Sequence, residues 1–148
     1  MMKLKKGVAL IDQHDKNGFW GGKFGGNFIP ETLKKPVEDL TVLFEKLRRD
    51  KKFIKERDYY YTNWVYKGPT PFIKLENLTK YLGGAQVWAK VVSEARGGAH
   101  KIYGAITAAM LCKAMGKKFL VTDTGAGYNG KMFSIAGKHF GLKVKVFM

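Results

Sequence analysis

The order strand, glycine turn, helix constrains this chain more than any other feature of its sequence. Phe119-Leu120-Val121-Thr122-Asp123 is a short apolar run, Thr124-Gly125-Ala126-Gly127-Tyr128-Asn129-Gly130 is a turn with three glycines, and a segment of helical spacing follows. A run of this length bounded by glycine reads as a buried strand. Leu142-Lys143-Val144-Lys145-Val146-Phe147-Met148 alternates as a second strand. A helix between two strands carries the chain back along the sheet, so the pair is predicted to be parallel with a right-handed crossover. Backbone N–H groups at the helix start can hold a carboxylate or phosphate, and glycines let an anion approach the backbone closely.

Upstream, Ile102 to Lys117 has helical periodicity, with Ile102, Ala105 or Ile106, Ala109 or Met110 and Lys113 recurring every three to four residues and Gly116 where a helix stops. Gly97-Gly98-Ala99-His100-Lys101 therefore sets a lysine in the first turn, after a glycine pair. A lysine attacks carbonyls only when neutral, so it needs a dry site or a cationic neighbour, and Ala99, Ile102, Ala105 and Ile106 are expected to supply apolar surroundings. Spacing alone does not separate Lys101 from the rest of the 27 Lys and Arg residues. Gly125, Gly127 and Gly130 also fit the dinucleotide pattern G-x-G-x-x-G, but no acidic residue follows Asp123 to hold a ribose, which argues against a nicotinamide site.

The remaining chain reads as an irregular glycine-rich lead with Phe19, Trp20 and Phe24 as anchors, then mainly helix. One helix is expected from Glu31 to Arg49, with Leu33, Val37, Leu40, Leu43, Phe44 and Leu47 on one face and Pro36 tolerated near its start. A second, Lys51 to Asn63, carries aromatic residues suited to a core. Gly68-Pro69-Thr70-Pro71 is a rigid turn, Leu75 to Leu82 a short helix and Gln86 to Lys90 a strand. The expected organisation is a single domain over 1–148: a lead over 1–30, a mainly helical part over 31–84 and a parallel α/β part over 85–148.

Hydrophobic content of 45% and aromatic content of 14% suit a packed globule, and no apolar run approaches the roughly 20 residues that span a bilayer. The segment after Met1-Met2-Lys3-Leu4-Lys5-Lys6 is too short for a signal peptide. The single Cys112 excludes an internal disulfide and any cysteine-cluster metal site; no metal is expected, and a cytoplasmic setting is favoured. The net charge of +15, with nine Lys and Arg residues against Asp123 alone from Arg96 onward, opens a polyanion-binding reading. Specific nucleic-acid recognition is not expected, because no binding motif accompanies the charge.

Several motifs in order carry a resemblance. They are Gly18-Phe19-Trp20-Gly21-Gly22-Lys23-Phe24-Gly25-Gly26-Asn27-Phe28-Ile29-Pro30-Glu31-Thr32, Gly68-Pro69-Thr70-Pro71-Phe72, Leu78 to Ala85, Gly98-Ala99-His100-Lys101, Met115-Gly116-Lys117-Lys118, Thr124-Gly125-Ala126-Gly127 and Phe140-Gly141-Leu142. The chain resembles the amino-terminal part of the tryptophan synthase beta family. That resemblance implies a pyridoxal-phosphate enzyme joining indole to serine to give tryptophan. The implied fold is α/β: amino-terminal helices followed by a three-layer α/β/α parallel sheet, incomplete relative to the family. By the same resemblance Lys101 is the Schiff-base lysine, His100 contacts the cofactor phosphate, Asp123 stands where the family has an acid-base glutamate, and Thr124, Gly125, Ala126 and Gly127 bind the substrate carboxylate. The implied partners are an alpha chain, a second beta chain and a complementary carboxy-terminal half.

The chain also departs from the family. Lys90-Val91-Val92-Ser93 replaces Lys-Arg-Glu-Asp, Tyr103 replaces an asparagine beside the cofactor ring, and Tyr128-Asn129 replaces glutamine-histidine. Asp123 is one methylene shorter than glutamate, and a displacement of about 1 Å can cost on the order of a hundredfold in rate. Because the family's phosphate cup lies in its second half, the resemblance implies that the isolated chain is incomplete or impaired as an enzyme, with a non-catalytic assembly derivative or a basic polyanion binder as alternatives.

Overall fold

The sharpest sequence expectation, the parallel pair around a glycine loop, is present with its predicted register of elements. In the computed structural model, which describes residues 5–9, 13–15, 19–20, 26 and 28–148, β3 (Phe119–Asp123) and β4 (Lys143–Phe147) are parallel, with Phe119 opposite Lys143 and Asp123 opposite Phe147. Helix α5 (Tyr128–Phe140) crosses between them and α4 (Lys101–Ala114) precedes β3. Leu120 and Val144 turn toward the helices, whereas Phe119, Val121, Lys143, Lys145 and Phe147 are exposed on the other face. The α/β class is thus present, and among the described residues its helices cover one face of the sheet.

Close backbone approach holds this layer together. A Cβ at Gly137 would stand 2.1 Å from Val144 Cγ2, and one at Gly130 would stand 2.7 Å from Val146 Cγ1, so α5 lies on β4 where only glycine leaves room. The core is Ile102, Ala105, Ile106, Ala109 and Met110 of α4 with Leu120, Met132, Ala136 and Phe140. Cys112 belongs to it, its Sγ donating to Phe119 O at 3.3 Å.

The second predicted helix changes character midway. Asp50 caps α2 (Lys51–Tyr59) by accepting from Phe53 N at 2.8 Å, but residues Tyr60–Val65 continue as a π-helical segment. The wider turn leaves carbonyls for side chains: Thr62 Oγ1 donates to Asp58 O at 2.8 Å and Asn63 Nδ2 to Tyr59 O at 3.1 Å. It also aims successive aromatic residues at the core. Tyr61 meets Tyr103 of α4 edge-on at 5.1 Å, and Tyr60 meets Phe140 of α5 at 5.1 Å.

Two further expectations need correction. The Gln86–Lys90 strand, placed in the parallel part, appears as β2 (Trp88–Lys90) in an antiparallel hairpin with β1 (Phe72–Lys74), a strand not anticipated after the proline turn. Phe72 and Trp88 lie diagonally across this hairpin and stack at 5.1 Å, which pairs the strands instead of feeding β2 into the parallel sheet. The short helix α3 (Glu76–Leu82) lies between them. Helix α1 (Glu31–Leu47) stops two residues short of the predicted end at Arg49, and none of its residues is buried.

The chain forms two compact units, Met1–Glu38 and Asp39–Met148. In the first, the buried Gln13 side chain donates to Lys5 O and Val8 O at 3.1 and 2.7 Å. Phe24, with Gly18, Gly21, Gly22, Lys23, Gly25 and Asn27 of the opening glycine-rich motif, lies outside the described residues. Among the described residues no helix is long and apolar enough to cross a membrane.

Burial pushes the Cys112 thiol and the Tyr60 phenol above their ordinary values of 9.0 and 10.0, against a small opposing effect of Lys117 on the thiol. Both raised values mean that folding favours the protonated form. Their stabilisation is therefore full below about pH 9 and is lost as pH rises through the folded-state values. A thermal-melting series is expected to fall above pH 9, and Cys112→Ala to flatten the thiol's share of that fall; an unchanged alkaline slope in the variant would contradict this.

Candidate active site

Helix α4 runs back along β3, its carboxyl end joined to the strand by the short link 115–118 with Gly116 in the left-handed region at φ 67°. Its amino terminus therefore lies at the carboxyl end of the strand, the end where open α/β sheets bind ligands. Lys101 at the start of α4, Asp123 at the end of β3 and the Thr124–Gly127 loop before α5 thus lie at the same end of the sheet.

The glycine pair explains how the lysine is delivered. Gly97 and Gly98 both adopt left-handed backbone, at φ 83° and 84°. A Cβ at Gly97 would stand 2.6 Å from Met132 Cε, so the loop passes directly over α5 before turning into α4. Lys101 is exposed, and this corrects one expectation: Ile102, Ala105 and Ile106 are fully buried in the core beneath α4 and do not form a sleeve around the lysine. His100 is exposed beside it, its carbonyl accepting from Tyr103 N at 3.2 Å.

Across the strand end, the loop is braced by its own side chains. Thr124 Oγ1 accepts from Gly127 N at 3.1 Å, and Thr124 N donates to Phe147 O at 2.9 Å. Asn129 Nδ2 donates to Thr122 Oγ1 at 2.7 Å and to Asp123 O at 3.0 Å, tying α5 to the strand. The Gly127 N–H is thus used within the loop, whereas those of Tyr128 and Asn129 precede the first helical bond, Lys131 N to Gly127 O at 2.9 Å. Gly125 and Gly127 have open space where a Cβ would project. Neither α4 nor α5 has a side-chain cap or an acidic residue in its first turn, so two helix starts lie at one sheet end with their positive dipoles uncompensated by those usual means.

The same sheet end thus carries an amine, a carboxylate and anion-binding N–H groups. Two bracing elements were not anticipated from the sequence. One is Asn129, which ties the start of α5 to Thr122 and Asp123; the other is Arg96, whose Nε donates to Trp64 O and whose backbone N donates to Val65 O, partners in the π-helical segment that no local pattern reveals. Tyr103, in place of the family asparagine, packs its ring on Tyr61. Elsewhere, a cleft of about 430 Å³ lined by Glu56, Tyr60, Lys113 and His139 lies at the other ends of α4 and α5, roughly 20 Å from Lys101 by helix length, and contains no candidate residue. Among the described residues no group of three His, Cys, Asp or Glu is placed to hold a metal.

Residues 64–148 match the family described as pyridoxal-phosphate dependent enzyme. The chain is 42% identical over 127 residues to the tryptophan synthase beta chain of Leptospira biflexa serovar Patoc strain Patoc 1 / Ames, covering 86% of this chain and 32% of that protein. The same values hold for the tryptophan synthase beta chain of strain Patoc 1 / ATCC 23582 / Paris. The chain spans about a third of the length of these curated relatives.

Proposed function

This chain belongs to the pyridoxal-phosphate dependent enzyme family, and on that premise we propose that it is a tryptophan synthase beta-like polypeptide acting on L-serine and indole, with Lys101 as the cofactor attachment. What supports the reading is that Lys101, Asp123 and two helix starts without side-chain caps lie at the same end of the sheet. These residues fit the group: an exposed amine can reach an aldehyde, and open glycine positions with unbonded N–H groups suit an anion.

Pyridoxal phosphate, when bound, supplies an electron sink for negative charge on an amino-acid α-carbon. The chain's residues supply the rest. Lys101 Nζ would hold the cofactor covalently and accept a proton when displaced. His100, adjacent to it, would donate to the phosphate. Asp123 would pass a proton to the leaving hydroxyl of serine, and the Thr124, Gly125, Ala126 and Gly127 loop, with the N–H groups of Tyr128 and Asn129, would orient the substrate carboxylate. The test is borohydride reduction of the chain with pyridoxal phosphate, followed by peptide mapping. Label concentrated on the Lys101 peptide is expected; label spread evenly over the surface lysines would reject the assignment.

A second reading, an assembly module, is favoured by the open sheet face, where Phe119, Val121 and Phe147 are each more than half exposed at 57, 56 and 53%. Parallel sheets are ordinarily covered on both faces. The remainder of such a fold, an alpha chain or a second beta chain would cover such surfaces. Light scattering of the isolated chain is expected to show association; a stable monomer would count against this reading.

A further inference from the structure

The loop that delivers Lys101 is fastened by one arginine. Arg96 N donates to Val65 O at 2.8 Å and Arg96 Nε donates to Trp64 O at 2.8 Å. The guanidinium also lies over the Trp64 ring, 4.3 Å from its centroid, while that ring meets His139 of α5 at 4.6 Å. One residue, through its backbone N–H and its guanidinium, thus closes the end of the π-helical segment and holds the Lys101 loop against it. Immediately after Arg96 the chain has two left-handed glycines in succession, a backbone with no preference of its own for one path. A defined path must come from the ends. At one end Gly98 N donates to Ala95 O at 2.8 Å within the turn, and Ala95 is buried. At the other, α4 is fixed by its core residues.

We propose that Arg96 is a positioning residue for Lys101, a strap between the π-helical segment and the glycine pair that fixes where the lysine emerges; this rests on the reading of Lys101 as the attachment residue. The bond to Val65 O is made by the backbone and survives any substitution but proline; what arginine alone adds is a planar donor for Trp64 O joined to a flat cation over indole. Lysine offers a point charge without the planar fork.

The test uses the whole chain, with hydrogen exchange of segment 96–103 measured without cofactor and reductive labelling of Lys101 measured with it. Arg96→Ala is expected to speed exchange in that segment about tenfold, the order expected for losing a side-chain hydrogen bond with its cation–aromatic contact, and to weaken attachment at Lys101 by a similar factor. Exchange in β3 and β4 stays as in the native chain. Arg96→Lys is expected to fall between the two. If Arg96→Ala loses the native circular dichroism spectrum, Arg96→Gln, which keeps an N–H for Trp64 O, decides instead. Native exchange rates in the variant overturn the proposal, as does faster exchange with undiminished attachment. If native chain and variant both fail to attach the cofactor at Lys101, the reading of Lys101 falls, and the strap is then judged on exchange alone.

Discussion

Lys101→Ala is expected to abolish the visible absorption of lysine-bound pyridoxal phosphate and the borohydride-trapped label on its peptide, while leaving the fold intact or slightly more stable. The two effects have separate physical origins. The covalent bond to the cofactor aldehyde needs the primary amine that the glycine pair delivers to the sheet end, so its removal takes away that bond altogether. The stability term is small, because an exposed side chain away from a packed feature usually changes stability by less than about 0.5 kcal/mol. Its sign is also informative. A cation in the first turn opposes the helix dipole, an interaction of about 0.3–1 kcal/mol at a surface, so alanine removes an unfavourable charge from α4. A melting temperature unchanged or raised, together with loss of the band, is the signature of a residue kept for chemistry. A band that persists would identify adventitious labelling of other lysines and remove Lys101 from the site.

The elements that flank Lys101 were the readable part of the sequence. Strand β3, the glycine loop and α5 were legible because each carries its own local rule: an apolar run, a turn that only glycine tolerates, then helical spacing. Lys101, His100 and Asp123 were legible as chemistry-bearing types at the ends of those elements, and the topology brings Lys101 and Asp123 to one sheet end without any further signal. What stayed hidden depends on contacts between segments distant in sequence. The continuation of α2 as a π-helical segment is set by Tyr60, Tyr61 and Trp64 reaching Phe140, Tyr103 and His139, and no periodicity within 51–65 encodes that. Strand β1 is three residues long, too short for alternation to be read, and exists because Trp88 stacks on Phe72. The apolar neighbours of Lys101 were misassigned for a similar reason. Helical spacing gives the stripe containing Ile102 and Ile106, but only the packing of α5 and β3 decides that the stripe is core and not the wall of a site.

Gly97→Ala is the test that joins fold and site, and a destabilisation of about 1.5–3 kcal/mol is expected. Holding alanine in the left-handed region costs about 1–2 kcal/mol. The new methyl would stand 2.6 Å from Met132 Cε, 2.7 Å from its Sδ and 3.0 Å from Ile135 Cδ1. Because the end of a methionine side chain moves more easily than a branched one, the overpacking is placed low in its range, about 1–2 kcal/mol, though Met132 is fully buried and has little room to yield. The stiffer unfolded chain returns about 0.4–1 kcal/mol. For a chain of 148 residues this corresponds to a fall in melting temperature of roughly 4–10 °C. Gly98→Ala separates the two contributions. Its φ of 84° imposes the same backbone strain, but the nearest atom to its Cβ would be Ser93 O at 4.0 Å, so a net loss nearer 1 kcal/mol is expected. Equal losses at the two positions would show that backbone strain alone matters and that the loop does not bear on α5. A larger loss at Gly97, accompanied by weaker attachment at Lys101, would show that the lysine's position is set by how closely this loop passes over Met132.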